Sequence, residues 1–186
     1  MSKAKQEAPD GAGPLLERRY FVDIVGATQT VEQLMQHVRC RVPEYCPDLL
    51  AEFEKSQGAS DCLDVGDEFR IKILGPWNGT VRVTKVEKTF FEFVTLEGHP
   101  EAGRIRFSLE SQPQEVFRFE IHSWARSRDG LVAFAYDTLG VGKLVQEHTW
   151  RIFCERVAAD SGGRALGPVT IETIDHDHAK HDVKHG

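Results

Sequence analysis

The sequence predicts an α+β fold in which an antiparallel sheet of about six strands is covered by one long C-terminal helix. Three observations carry this. Apolar and polar residues alternate through most of residues 67–123, the loops between the alternating runs are short, and residues 131–159 form a proline-free segment with mostly helical spacing. With 186 residues, 40% of them hydrophobic, the chain is the size of one domain with a single core.

Residues 1–17 are rich in Lys, Glu, Ala, Pro and Gly and read as a disordered leader, because such a composition buries too little apolar area to offset the entropy of ordering. The domain is expected over residues 18–160. Its first strand covers residues 19–25, where Tyr20, Phe21, Val22, Ile24 and Val25 dominate and Gly26 closes the run. Thr30 with Gln33 is a capping-box pattern, and Val31, Leu34, Met35 and Val38 follow at helical spacing, so a helix is expected to about Arg41. Pro43 and Pro47 interrupt it. Residues 48–55 then read as a short second helix, with Pro47 suited to its first turn.

From residue 67 the period becomes two. Phe69, Ile71 and Ile73 alternate with Glu68, Arg70 and Lys72, and Val81 and Val83 continue after Pro76, Trp77, Asn78 and Gly79, where Asn-Gly suits a hairpin turn. Residues 90–96, then Ile105, Phe107 and Leu109, then Phe117, Phe119 and Ile121 mark three further strands. A meander of this kind leaves one apolar face to be covered. Val141, Leu144, Val145, Ile152, Phe153 and Val157 supply the covering helix, which Ser161, Gly162 and Gly163 end. Residues 161–186 form a His- and Asp-rich tail, partly disordered, in which residues 169–174 either dock as an edge strand or remain loose.

Acidic residues outnumber basic ones, 29 to 23, and the net charge of -6 opposes nucleic-acid binding. No apolar run approaches the roughly 20 residues of a membrane helix, and the N-terminus lacks the apolar core of a signal peptide, so a soluble cytoplasmic protein is expected. Cys40, Cys46, Cys62 and Cys154 show no zinc or redox spacing and read as reduced structural thiols. His176, His178, His181 and His185 alternate with Asp175, Asp177 and Asp182. A flexible tail of this kind chelates metals without being a metal site, and neither metal nor cofactor is assigned.

The order of strand, helices, antiparallel meander and long final helix resembles the helix-grip fold of the START and Bet v 1 superfamily (SRPBCC). That resemblance implies a cavity for apolar ligands between a curved sheet and the last helix. Gly98, His99, Pro100, Glu101, Ala102 and Gly103, followed by Phe107, resemble the GHPExG motif of an uncharacterised domain-of-unknown-function family (nineteen-ninety) found in bacteria and plants. Trp77 with Asn78, and residues 123–127, are similar to that family's further signatures. The resemblance covers roughly residues 65–157. Members typically carry acidic residues after the motif's last glycine, where this chain has Arg104 and Ile105.

Pro100 favours an extended backbone at His99, so His99 and Glu101 project to one side. A carboxylate beside an imidazole fixes its tautomer and raises its pKa, which suits general acid–base catalysis; the same pair also serves to brace a loop. His122, Trp124 and Arg126 share one side of the last strand, and His148 sits at helical spacing from Leu144 and Ile152. The leading expectation is a binder of a small apolar or amphipathic molecule, with Trp77, Phe91, Phe93, His99, Phe107, Phe119, Trp124 and His148 as ligand contacts. Two alternatives stand beside it. One is a hydrolase or cyclase-type enzyme with His99 as base and Glu101 as its orienter; the other is a protein-interaction module.

Overall fold

Every period-two run forms a strand in the computed structural model, which describes residues 3–47, 51–58, 61–73, 78–130 and 141–186. The elements are β1 (Ala12–Val25), α1 (Val31–Cys40), α2 (Val42–Tyr45), β2 (Ala51–Gln57), β3 (Glu68–Ile73), β4 (Gly79–Val86), β5 (Phe90–Thr95), β6 (Glu101–Gln112) and β7 (Val116–Ser127). They are followed by α3 (Val141–Asp160), β8 (Arg164–Ala165), β9 (Thr170–Asp175) and β10 (Lys180–His185). Among the described residues the sheet has ten strands, in the order β10-β9-β1-β7-β6-β5-β4-β3-β2 with β8 beside β1.

The inner face carries Tyr20, Val22 and Ile24 of β1, Phe119 and Ile121 of β7, and Phe107 and Leu109 of β6, all buried. Against it α3 packs Trp150, Phe153, Cys154 and Val157, while Leu34, Met35 and Val38 of α1 close one end. This is the helix-grip arrangement expected from the sequence. Phe107 is the hub: its ring lies 4.7 Å from Phe91, 5.2 Å from Phe153 and 5.5 Å from Trp150. The capping box at Thr30 forms as expected, with the Gln33 N–H on the Thr30 hydroxyl and the Gln33 side chain accepting from the Thr30 N–H.

Three expectations are corrected and one left open is decided. The sheet has more than about six strands because both chain ends join it. Residues 51–57 form strand β2, not the C-terminal part of a second helix, since pairing with β3 satisfies an edge that would otherwise expose unpaired N–H and C=O groups. The described part of the leader, from Lys3, is ordered: Lys5 bridges to Leu96, a 3₁₀ turn covers Ala8–Asp10, and β1 begins at Ala12. The tail docks, with β9 pairing β1 and β10 pairing β9, so Tyr20 lies opposite Ile171 and Ile171 is buried. Backbone pairing, which composition does not register, outweighs the polar character of these ends.

The cysteines also differ from the expectation. Cys40 and Cys62 are joined in a disulfide, whereas Cys46 and Cys154 are buried. Among the described residues no helix is long and apolar enough to cross a membrane.

Candidate functional site

β5 and β6 pair only as far as Val94 opposite Arg104, and beyond that point the chain leaves the ladder through residues 96–100. The N-terminal segment fills the resulting gap. The Gln6 N–H donates to the Thr95 carbonyl, and the Gly103 N–H donates to the Gln6 carbonyl. The buried Gln6 side chain then clamps the loop, its Nε2 donating to the carbonyls of His99 and Glu101 (both 2.9 Å) and its Oε1 accepting from the Gly98 N–H. Gly98 has φ +91°, a conformation that favours glycine.

This clamp turns His99 into the interior. Its Nδ1 lies 3.0 Å from both the Glu101 backbone nitrogen and the Glu101 carbonyl oxygen, so it accepts from the N–H in one tautomer and donates to the carbonyl, beside Gln6, in the other. Burial lowers the pKa of His99, with the nearby Glu101 charge opposing that shift only in part. A Cβ on Gly79 would lie 2.0 Å from the His99 ring, so the absence of a side chain at Gly79 lets the imidazole lie against the start of β4. Gly79 was expected to serve the hairpin turn; it opens the strand instead.

The Glu101 carboxylate does not meet the imidazole. It accepts from Arg18 Nη1 (3.0 Å) and from Gln146 Nε2 (3.2 Å), and Arg18 also donates to Gln146 Oε1 (2.9 Å). The backbone of Glu101 engages Nδ1, and the carboxylate that would orient the imidazole is tied to other partners. His99 braces the loop through the Glu101 backbone, and the Glu101 carboxylate belongs to a separate buried Arg18–Glu101–Gln146 network.

Both His99 and Glu101 border a cavity of about 100 Å³ between the sheet and α3. Its apolar walls come from Ile71, Val81, Phe93, Phe107 and Ala125 on the sheet and from Val145 and Trp150 on the helix. Two hydroxyls on this lining, Ser123 Oγ and Thr149 Oγ1, are buried and have no hydrogen-bond partner among the described residues.

Residues 25–156 match the family described as Domain of unknown function (DUF1990). The chain belongs to that family. The match reaches further toward the N-terminus than the resemblance read from the sequence, taking in α1 and β2. A search of curated proteins returns no match to this sequence. Among solved structures, a hypothetical protein from Helicobacter pylori superimposes with a TM-score of 0.54 at 11% identity, covering 77% of this chain and 86% of that one. Norcoclaurine synthase from Thalictrum flavum, a point mutant bound to a transition-state analogue, gives 0.51 at 7% identity, covering 80% and 98%. Ara h 8.0201 gives 0.50 at 9% identity, covering 77% and 99%. At these identities the likeness establishes the fold: this DUF1990 chain has the helix-grip architecture of Bet v 1-like proteins.

Of the ligand contacts expected from the sequence, Phe93, His99 and Phe107 border the cavity. Phe91 and Phe119 are solid core, stacked on Phe107 and Phe153 respectively. Trp124 lies on the opposite face of the sheet, stacked on His122 at 3.6 Å, because inward positions on β7 fall to Phe119, Ile121, Ser123 and Ala125. His148 is exposed and contacts Arg151, since α3 turns Trp150, Phe153 and Val157 inward. Trp77 lies outside the described residues.

Sequence reasoning missed Gln6, Arg18, Ser123, Gln146 and Thr149. For four of these a signal existed. Arg18 shares strand parity with Tyr20 and Val22, Ser123 shares it with Ile121, and Gln146 and Thr149 fall on the helical face of Trp150 and Phe153. Each is a polar residue at an apolar-face position. Gln6 had none.

Two consequences are measurable. Gln6→Ala removes three hydrogen bonds to one loop and is expected to cost about 1–3 kcal/mol in urea unfolding, with faster amide exchange at Gly98 and Gly103. For His99, the unfolded chain takes up a proton near pH 6.5 while the folded state resists, because its pKa is lowered. The stability contribution is full above about pH 6.5 and is lost as pH falls toward the folded pKa, by up to about 1.4 kcal/mol per pH unit. Unfolding curves from pH 8 to 5.5 should be flatter for His99→Gln than for the parent, and equal slopes would refute the assignment.

Proposed function

We propose that this protein binds a small, largely apolar molecule with one polar end in the cavity between the sheet and α3. The observation that carries the reading is the pair of unpartnered hydroxyls, Ser123 Oγ and Thr149 Oγ1, on an otherwise apolar cavity wall. A buried hydroxyl without a partner costs about 1–3 kcal/mol, and a ligand hydroxyl or carbonyl that pairs with it recovers that loss. The His99 ring adds a further polar group at the same lining.

Size narrows the ligand class. A cavity of about 100 Å³ lies below the roughly 300–1,000 Å³ of pockets for drug-sized molecules, whereas about 150 Å³ accommodates benzene. The occupant is a single small ring or a short branched chain bearing a hydroxyl or carbonyl group. A disulfide fits an oxidising environment better than a reducing one, so a cytoplasmic location is not part of the proposal.

The test combines native mass spectrometry of the purified protein with thermal melts in a panel of ring-sized alcohols, phenols and ketones. A ligand at about 100 times its dissociation constant should add about 2.7 kcal/mol to stability. Ala125→Ile, which fills the cavity from β7, should abolish that gain while keeping a cooperative melt. A panel without any stabilising compound, together with no co-purifying mass, would reject the reading.

A further inference from the structure

The outer face of the sheet, opposite the cavity, carries five arginines that each bind a carboxylate. Arg82 pairs with Glu68, Arg106 with Glu92, Arg118 with Asp23, Arg19 with Glu120 and Arg126 with Asp177. Arg104 differs. It makes no hydrogen bond or ion pair among the described residues, and its guanidinium lies 4.8 Å over the Trp124 ring, which itself stacks on His122. Stacking holds the guanidinium by its face and leaves the N–H edge free, the edge that matches an oxyanion in a forked geometry.

That edge borders a hollow of about 520 Å³ formed where residues 5–9 cross the sheet. Lys5 and Lys85 add two further cations to its lining. Of the two carboxylates there, buried Glu92 faces Arg106 at 2.9 Å and Lys85 at 3.8 Å, which leaves Glu7 at the rim. Leu15, Val94, Ala8 and Pro9 supply apolar surface beside the charged group.

We propose that this outer hollow is a second binding site, taking a small oxyanion, carboxylate or phosphate, attached to an apolar group. Arg104 holds the oxyanion with Lys5 and Lys85 nearby, and the apolar group lies against Leu15 and Val94. The site is independent of the cavity reading: only Gly103 and Arg104 border both linings.

The test is an NMR titration of the full chain with benzoate, phenyl phosphate and inorganic phosphate at constant ionic strength, following the indole N–H signals of Trp124 and Trp150. A saturable shift at Trp124 is expected, with benzoate or phenyl phosphate binding about tenfold more tightly than inorganic phosphate; the tighter of the two identifies the preferred oxyanion. Arg104→Gln, an exposed substitution, should weaken binding by about tenfold or more. No saturable shift at Trp124, equal affinity for inorganic phosphate, or unchanged affinity in Arg104→Gln would each overturn the proposal. A shift confined to Trp150 would also overturn it while leaving the cavity reading intact.

Discussion

Replacing Phe107 with Ala is expected to lower the free energy of unfolding by about 3–5 kcal/mol, a large fraction of the stability of an ordinary domain. Phe107 is fully buried at the centre of β6, where the sheet, through Phe91 and Phe93, meets the helix, through Trp150 and Phe153. The loss combines the transfer free energy of the ring with the void it leaves, since rings held by several other elements cannot all move inward together. Phe107→Leu keeps most of the volume and should lose less. Urea unfolding of both variants is the measurement, and a Phe107→Ala cost below about 1.5 kcal/mol would mean that the aromatic cluster is not the hub of the core. Because Phe107 also borders the cavity, the Ala variant should accept larger rings than the parent if the cavity binds ligand.

Removing Arg18 is expected to cost about 3 kcal/mol or more. Its side chain is 4% exposed, and its Nη1 reaches both Glu101 and Gln146. Arg18→Met leaves a carboxylate that is only 19% exposed facing Gln146, and a buried charge without its counter-ion is far more costly than the intact pair is stabilising. Adding Glu101→Leu to Arg18→Met should therefore recover much of the stability. A double variant as unstable as the sum of the two single ones would show that the pair is not coupled. The same network ties the N-terminal part of α3 to β1 and β6 through Gln146, so the Arg18 variant should also speed amide exchange in that part of the helix.

Predicted and observed elements agree where local pattern and tertiary demand coincide. The alternation at Phe69 and Ile71, at Phe107 and Leu109, and at Phe119 and Ile121 suits a half-buried strand, and each run became one. The capping box at Thr30 is complete within four residues and needed nothing distant. Residues 51–57 failed the other way. Their pattern admits helix or strand, and the free edge of β3 decided between them.

The loop at residues 98–103 shows the same division at the scale of a site. Its glycines, histidine and glutamate marked it as unusual, and it does border the cavity. The partners were not readable, because they lie 83 residues away at Arg18, 45 residues away at Gln146 and 93 residues away at Gln6. Those contacts turned an apparent acid–base pair into a braced, neutral imidazole and a separate ion pair.

By itself, then, the sequence determined the strands of the meander and the first helix, since periodicity and caps are short-range consequences of backbone geometry, and its resemblances pointed to the helix-grip order and the family. Only the tertiary structure decided that both chain ends join the sheet, that Trp124 faces away from the cavity, and that Ser123 and Thr149 have no partner among the described residues. Pairing edges, burial and charge neutralisation depend on which segments meet in space, and no local window of residues contains that information.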